Sequence, residues 1–296
     1  VFGIATYGAD TVNSSVDHTV VASPAADAVI LKAGDGEKYW IDVDRTADFS
    51  MPITVGGTVG TSGNNFSANT DVNYTYTFDT AVVKADADAT FMDISYILEG
   101  KTLTVNDGGT IFIEDTEDTD YQPGVMVVRG NLVNNGDIMS TDGTGLVVAG
   151  SGVVTIGSTG TDMGKTLVVT GDGTYKVDGG EADYAGLELK SGTLNIAKGW
   201  FGYGLAKADA GYTGDKPAVF ATNLDTIETN DARLIVGTVA ANDTVAAGSV
   251  YFGEDSALVL DTSNLVDKTI FKGNNSGTFT VKVGSELAVS HTTWGK

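Results

Sequence analysis

The sequence contains no cysteine, which excludes a disulfide framework and any thiolate-held metal. A Cys-free chain of this length suits bacterial or archaeal surface proteins that fold after export. Proline is almost as scarce, with 4 residues beside 39 glycines. Collagen triplets and Pro-rich linkers are thereby excluded. Histidine is confined to His18 and His291, near opposite ends, and no Gly-x-Ser-x-Gly elbow occurs. Hydroxyl-based hydrolysis therefore lacks its base and zinc lacks a ligand set. Cations are few: 17 Lys and Arg stand against 39 Asp and Glu, a formal charge of −22. Such a surface repels phosphate backbones and anionic headgroups, so neither nucleic acid nor direct membrane insertion is expected. No run of 18 apolar residues is present, so no membrane-spanning helix is expected. The chain opens at Val1 without a charged and apolar leader. It reads as a mature protein whose signal segment has been removed, located outside the cell or on its surface.

Much of what is present is strand-forming. The hydrophobic fraction is 42%, enough for a large core. Glycine at this level fits many short strands joined by tight turns, because it reaches positive φ at no steric cost. Residues 1–97 carry β-branched and aromatic runs at Thr19–Ala22, Ala28–Lys32, Tyr39–Val43, Ile53–Val59, Tyr74–Phe78 and Thr90–Ile97, without a common period. A short helix around Pro24–Lys32 is the competing reading there. This segment is expected to be a β-rich cap or assembly region.

From Glu99 a pattern repeats. Gly100 precedes Leu103 and Val105, and Gly109 precedes Ile111 and Ile113. Gly145, Gly152, Gly164, Gly173, Gly186 and Gly192 each lead a similar alternating pair. Leu146 to Leu167 is 21 residues and Leu167 to Leu187 is 20. Two short strands per unit of about 20 residues point to coils stacked on one another, since a single coil cannot bury its apolar face alone. Outward positions would then hold residues such as Thr102, Thr104, Lys165, Thr170 and Lys190. The expected fold is all-β, a β-solenoid over 98–296, with a β-sandwich or jelly roll as the alternative. The regularity breaks near 198–231, where Trp200, Phe201, Tyr203 and Tyr212 sit among five glycines. That stretch reads as a long loop or an elaborated coil.

The phrase Gly130-Asn131-Leu132-Val133-Asn134-Asn135-Gly136-Asp137-Ile138 resembles the recurring units of autotransporter passenger domains and related bacterial β-helix adhesins. Glu99–Val105 and Ser191–Ile196 are similar phrases. The resemblance implies a right-handed parallel β-helix and a role as a surface structural or adhesive protein. Autotransporters carry a C-terminal membrane barrel, whereas this chain ends at Trp294-Gly295-Lys296. A cleaved passenger, a filament subunit or a surface-layer subunit is expected instead.

Candidate sites are few. Glu114, Asp115, Glu117, Asp118 and Asp120 place five carboxylates within seven residues. They could ligate Ca²⁺, a hard cation that takes six to eight oxygens, or form a solvated loop between coils. No other cofactor is indicated. Trp200, Phe201 and Tyr203 could stack on a glycan or a protein partner, or cover the solenoid. Val1, Phe2 and Ile4 open an apolar segment, 1–22, able to add a strand to a neighbouring copy. Self-association is the expected partnership. A carbohydrate-active β-helix, using paired carboxylates or Ca²⁺ with a basic residue, is the enzymatic alternative to a non-catalytic protein.

Overall fold

A computed structural model describes residues 11–12, 19–22, 29–33, 39–42, 53–59, 65–69, 75–83, 85, 88–92, 94–114, 124–140, 145–223, 226–262, 270–274 and 276–290. Every regular element among them is a strand. The fold is all-β, a parallel β-solenoid preceded by an irregular N-terminal segment. The parallel pairing that begins between Val29–Ala33 and Ile53–Val59 and continues onward excludes the sandwich there, because sandwiches are built from antiparallel sheets. The chain divides into two compact units, Val1–Leu146 and Val147–Lys296.

The first unit starts antiparallel. Thr19–Ala22 pairs with Val29–Ala33, and Thr11–Val12 pairs with Tyr39–Asp42. Val29–Ala33 is thus a strand and not the helix its surroundings allowed; three consecutive apolar, mostly β-branched residues favour the sheet. Its next partner, Ile53–Val59, lies parallel to it, and parallel pairing continues onward. Thr75–Val83 turns a corner at Thr80, whose φ of 46° is left-handed. Its first half pairs with Ile94–Ile97 and its second half with Thr102–Val105. Asp88–Met92 pairs with Thr110–Glu114 on a third face.

Stacking in register makes columns of inward side chains. Ala81 aligns with Leu103 and Leu103 with Leu132; Ile111 aligns with Ile138. Leu103, Ile111, Leu132 and Ile138 are fully buried. Outward positions are not uniformly polar, however. Ile94 lies beside Val125, Tyr96 beside Val127 and Phe112 beside Met139. Neighbouring strands half-cover such pairs, as cross-strand partners do.

The repeated phrase at 130–138 now has a physical reason. A Cβ on Gly130 would overlap the carbonyl oxygens of Leu98 and Lys101, and one on Gly136 those of Gly109 and Asn106. Both glycines mark corners where the previous coil passes directly underneath. Between them Leu132 points inward, and the buried Asn134 accepts a hydrogen bond from the Gly136 N–H at 3.0 Å through its own Oδ1. That side chain helps to build the corner between two strands.

The second unit has three faces as well. On one, residues 166–169 pair with 186–189, aligning Leu167 with Leu187. On the next, Val153–Ile156 is followed in register by 174–177, 193–196, 233–236, Ser249–Phe252 and Phe279–Val281. On the third, 161–164 is followed by 181–184, 200–203, Ala218–Thr222, Ser256–Asp261 and Glu286–Ser290. Long strands such as Thr174–Leu189 and Ser191–Tyr203 simply run round the corners.

Trp200, Phe201 and Tyr203 therefore sit on a strand, and the loop is shorter than the sequence implied. Two excursions, 204–217 and 237–248, each return the chain to the face it has just left, one level on. An aromatic series runs through the interior and out to the exposed coil at 271–290. Tyr175, Tyr184, Phe201, Phe220, Phe271 and Phe279 follow one another with ring centroids 5.6–6.3 Å apart, Phe201 and Phe220 stacked nearly parallel at 6°. Stacked and edge-on pairs at this spacing add about 0.5–1.5 kcal/mol each beyond burial.

Candidate functional site

The third face carries the most elaborate surface. Its outward row runs Glu181, Trp200, Val219, Ala257 and Glu286 in strict register across five coils. The next outward row includes Ala221, Val259 and Ala288. Three consecutive strands with apolar residues outward would leave a bare hydrophobic strip. The excursion 204–217 covers it: Leu205 and Ala210 pack with Trp200, Val219, Ala221, Ala257 and Val259, and Tyr212 lies against their edge.

Polar contacts fix this strap at both ends of the row. Lys207 pairs with Glu181 at one end. At the other, the Tyr212 hydroxyl lies 3.4 Å from Glu286 Oε2, and Lys216 donates to the Gly284 carbonyl. In the middle, Trp200 donates its indole N–H to Asp183 Oδ1 at 2.9 Å. Burial pushes the Asp183 carboxyl up from its ordinary range, while the indole hydrogen bond pulls it back.

The excursion 237–248 does the same on the adjacent face. Tyr251 donates to Asp243 Oδ2 at 2.7 Å and accepts from the Ala240 N–H at 3.1 Å. Lys282, in the last coil, reaches Asp243 at 2.6 Å and holds its carboxyl below the usual range. Arg233 donates to the Val245 carbonyl at 2.9 Å. Both straps thus end on the final coil.

That coil exposes its interior. Phe279 and Val281 continue the columns of Val250 and Phe252, and Leu287 and Val289 those of Leu258 and Leu260. Val250, Phe252 and Leu260 are buried, yet Phe279 is 56% and Leu287 61% exposed. Each of these side chains forgoes part of the about 1.5–3 kcal/mol that complete burial contributes. The surface is apolar, edged by strands and held in place from outside.

A third feature lies inside. Asp162 is fully buried, and both the Tyr175 and Tyr184 hydroxyls donate to its Oδ2, the latter at 2.8 Å. Its Oδ1 has no hydrogen-bond partner among the described residues. Burial pushes the Asp162 carboxyl up to about 6, the two phenols opposing that rise. The same burial drives both phenols well above their ordinary value.

Of the residues singled out in the sequence, Trp200, Phe201 and Tyr203 are all buried, Phe201 in the core stack and Trp200 beneath the strap. Glu114 ends a strand beside Met92. Asp115, Glu117, Asp118 and Asp120, together with Val1, Phe2 and Ile4, lie outside the described residues. Among the described residues no three His, Asp or Glu side chains converge as a metal would need. No helix there is long and apolar enough to cross a membrane. Sequence reasoning missed Asp162 and the exposed end. Asp162 sits at an inward strand position, where a carboxylate is rare, and the alternation of Thr161, Asp162 and Met163 was the available signal. The chain matches no protein-family model, no curated protein and no solved structure.

Proposed function

We propose that this chain is an extracellular structural or adhesive surface protein that self-assembles into a filament or layer. The observation that carries the reading is the final coil, whose inward columns are presented to solvent while two straps hold it in shape. An apolar surface edged by strands and kept ordered is the physical form of an assembly contact. The closely packed aromatic interior of the second unit fits the same role, because such packing resists compression and collapse. The acidic, Cys-free composition and the adhesin-like phrase at 130–138 support a place outside the cell.

Electron microscopy of the purified chain, with a panel of acidic and neutral polysaccharides assayed in parallel, tests this. Filaments or sheets and unaltered polysaccharide are expected. New reducing ends or unsaturated sugars would overturn the reading in favour of a carbohydrate-active β-helix. Monomers under every condition would remove assembly from it.

A further inference from the structure

We infer that the two straps are clasps: each ties coils that are not neighbours, so the coils they cross open together and not one at a time. The coupling acts within a single copy and does not depend on assembly.

A solenoid is ordinarily a one-dimensional stack, in which each coil touches only the coil before it and the coil after it. Such a stack can lose coils singly, each opening at the cost of one interface. On the third face Glu181, Trp200, Val219, Ala257 and Glu286 follow one another in register. At about 4.8 Å per step, the first and last of these are about 19 Å apart along the stack. No strand pairing joins their two coils directly.

The strap 204–217 bridges that distance from outside. Lys207 pairs with Glu181 in the first of the five coils. Tyr212 reaches Glu286 in the last, and Lys216 donates to the Gly284 carbonyl beside it. Between these anchors, Leu205 and Ala210 pack with Trp200, Val219, Ala221, Ala257 and Val259, which belong to the three coils in between. All five point outward, yet none is more than 5% exposed. Lifting any one of those coils therefore uncovers apolar surface on the other two, which links their opening.

The strap 237–248 makes the same kind of tie on the adjacent face. The Val245 carbonyl accepts from Arg233, while Asp243 accepts from Tyr251 in the next coil. Asp243 also pairs with Lys282, which follows Phe279–Val281 one coil further on. Arg233 and Lys282 are thus joined through neighbouring strap residues, although their strands share no ladder. Exposed ion pairs such as Lys207–Glu181 change an opening equilibrium by no more than about fivefold. The apolar seam under Leu205, itself 6% exposed, is the stronger tie and the one to break.

Native-state hydrogen exchange at rising denaturant, read by mass spectrometry, compares the full chain with its Leu205→Ala variant at one protein concentration. Leu205 belongs to the strap and to no strand, so the shaft keeps all its own side chains. In the parent protein, residues 200–203, Ala218–Thr222 and Ser256–Asp261 are expected to lose protection together, with one denaturant dependence. In Leu205→Ala, Ser256–Asp261 should exchange before 200–203 and about thirtyfold or more faster than in the parent, the lower end for truncating a buried leucine. Residues 161–169 lie before Glu181 and outside both clasps, and their exchange should not change. Successive loss of the three strands in the parent would overturn the clasp, and that result needs no variant to fold. Three strands that still open together in Leu205→Ala, at whatever rate, would overturn it as well. A protein that is monomeric under every condition would remove assembly and leave the clasps standing.

Discussion

Tyr184 and Asp162 belong to successive coils, and the Tyr184 hydroxyl donates to Asp162 Oδ2 at 2.8 Å inside the solenoid. Tyr175 donates to the same oxygen from an adjacent face, and Oδ1 has no partner among the described residues. A carboxylate with two neutral donors and no cation is stabilised by hydrogen bonds alone. Burial outweighs them, so the folded protein binds this proton more tightly than the unfolded chain does.

The sign of the pH dependence follows. The Asp162 carboxyl rises from 3.8 to about 6 on folding, so its stabilising proton is fully bound below pH 4. That contribution is lost as pH rises through 6, a change of about 3 kcal/mol at 1.36 kcal/mol per unit. Replacing Asp162 by Asn should flatten this part of the stability profile. Thermal melts from pH 4 to 7.5 should show the variant gaining on the parent protein as pH rises. Parallel curves for the two proteins would exclude Asp162 as the source.

The column that joins Leu167 to Leu187 makes a second expectation. Leu167 is fully buried, so Leu167→Asp puts an unpaired charge in a dry interior. A loss of about 4 kcal/mol or more is expected, enough to threaten the second unit. Chemical denaturation measures it, and a melting curve like that of the parent protein would mean that the register is wrong.

Trp200 holds the strap to the third face through packing and through its hydrogen bond to Asp183. Trp200→Ala should cost about 3–5 kcal/mol, as for other large aromatic truncations. It should also open the 204–217 segment to protease before the rest of the chain. Limited proteolysis with mass spectrometry reads the first cut, and first cleavage elsewhere would show that the strap does not depend on Trp200.

Two glycines of the second unit should respond differently to alanine. A Cβ at Gly180 would overlap the Gly157 and Gly160 carbonyl oxygens, whereas at Gly150, with φ of 59°, it meets nothing within 4 Å. Gly150→Ala should cost about 1 kcal/mol from its left-handed backbone alone. Gly180→Ala should cost about 3 kcal/mol, since backbone atoms of the previous coil cannot move aside. Equal losses on denaturation would mean that the coils are not in contact at Gly180.

The sequence by itself determined the solenoid. Its alternating Leu, Val and Ile at intervals near 20 residues are a local property, set by the two-residue period of a strand and by the corners where Gly must stand. Stacking only repeats that pattern, so the columns through Leu103 and Leu167 are legible in the sequence itself. The fate of 198–203 was not. Trp200 and its neighbours follow Gly199, and composition alone could not separate a loop from a strand turning a corner. Tertiary structure decided that Phe201 points into the core while Trp200 lies under a strap, because only the register with Glu181, Val219 and Ala257 fixes which side faces out. It likewise decided the burial of Asp162 and the exposure of Phe279 and Leu287. Burial depends on whether another coil lies above a residue, and that is a fact about neighbours distant in the chain, which no local pattern encodes.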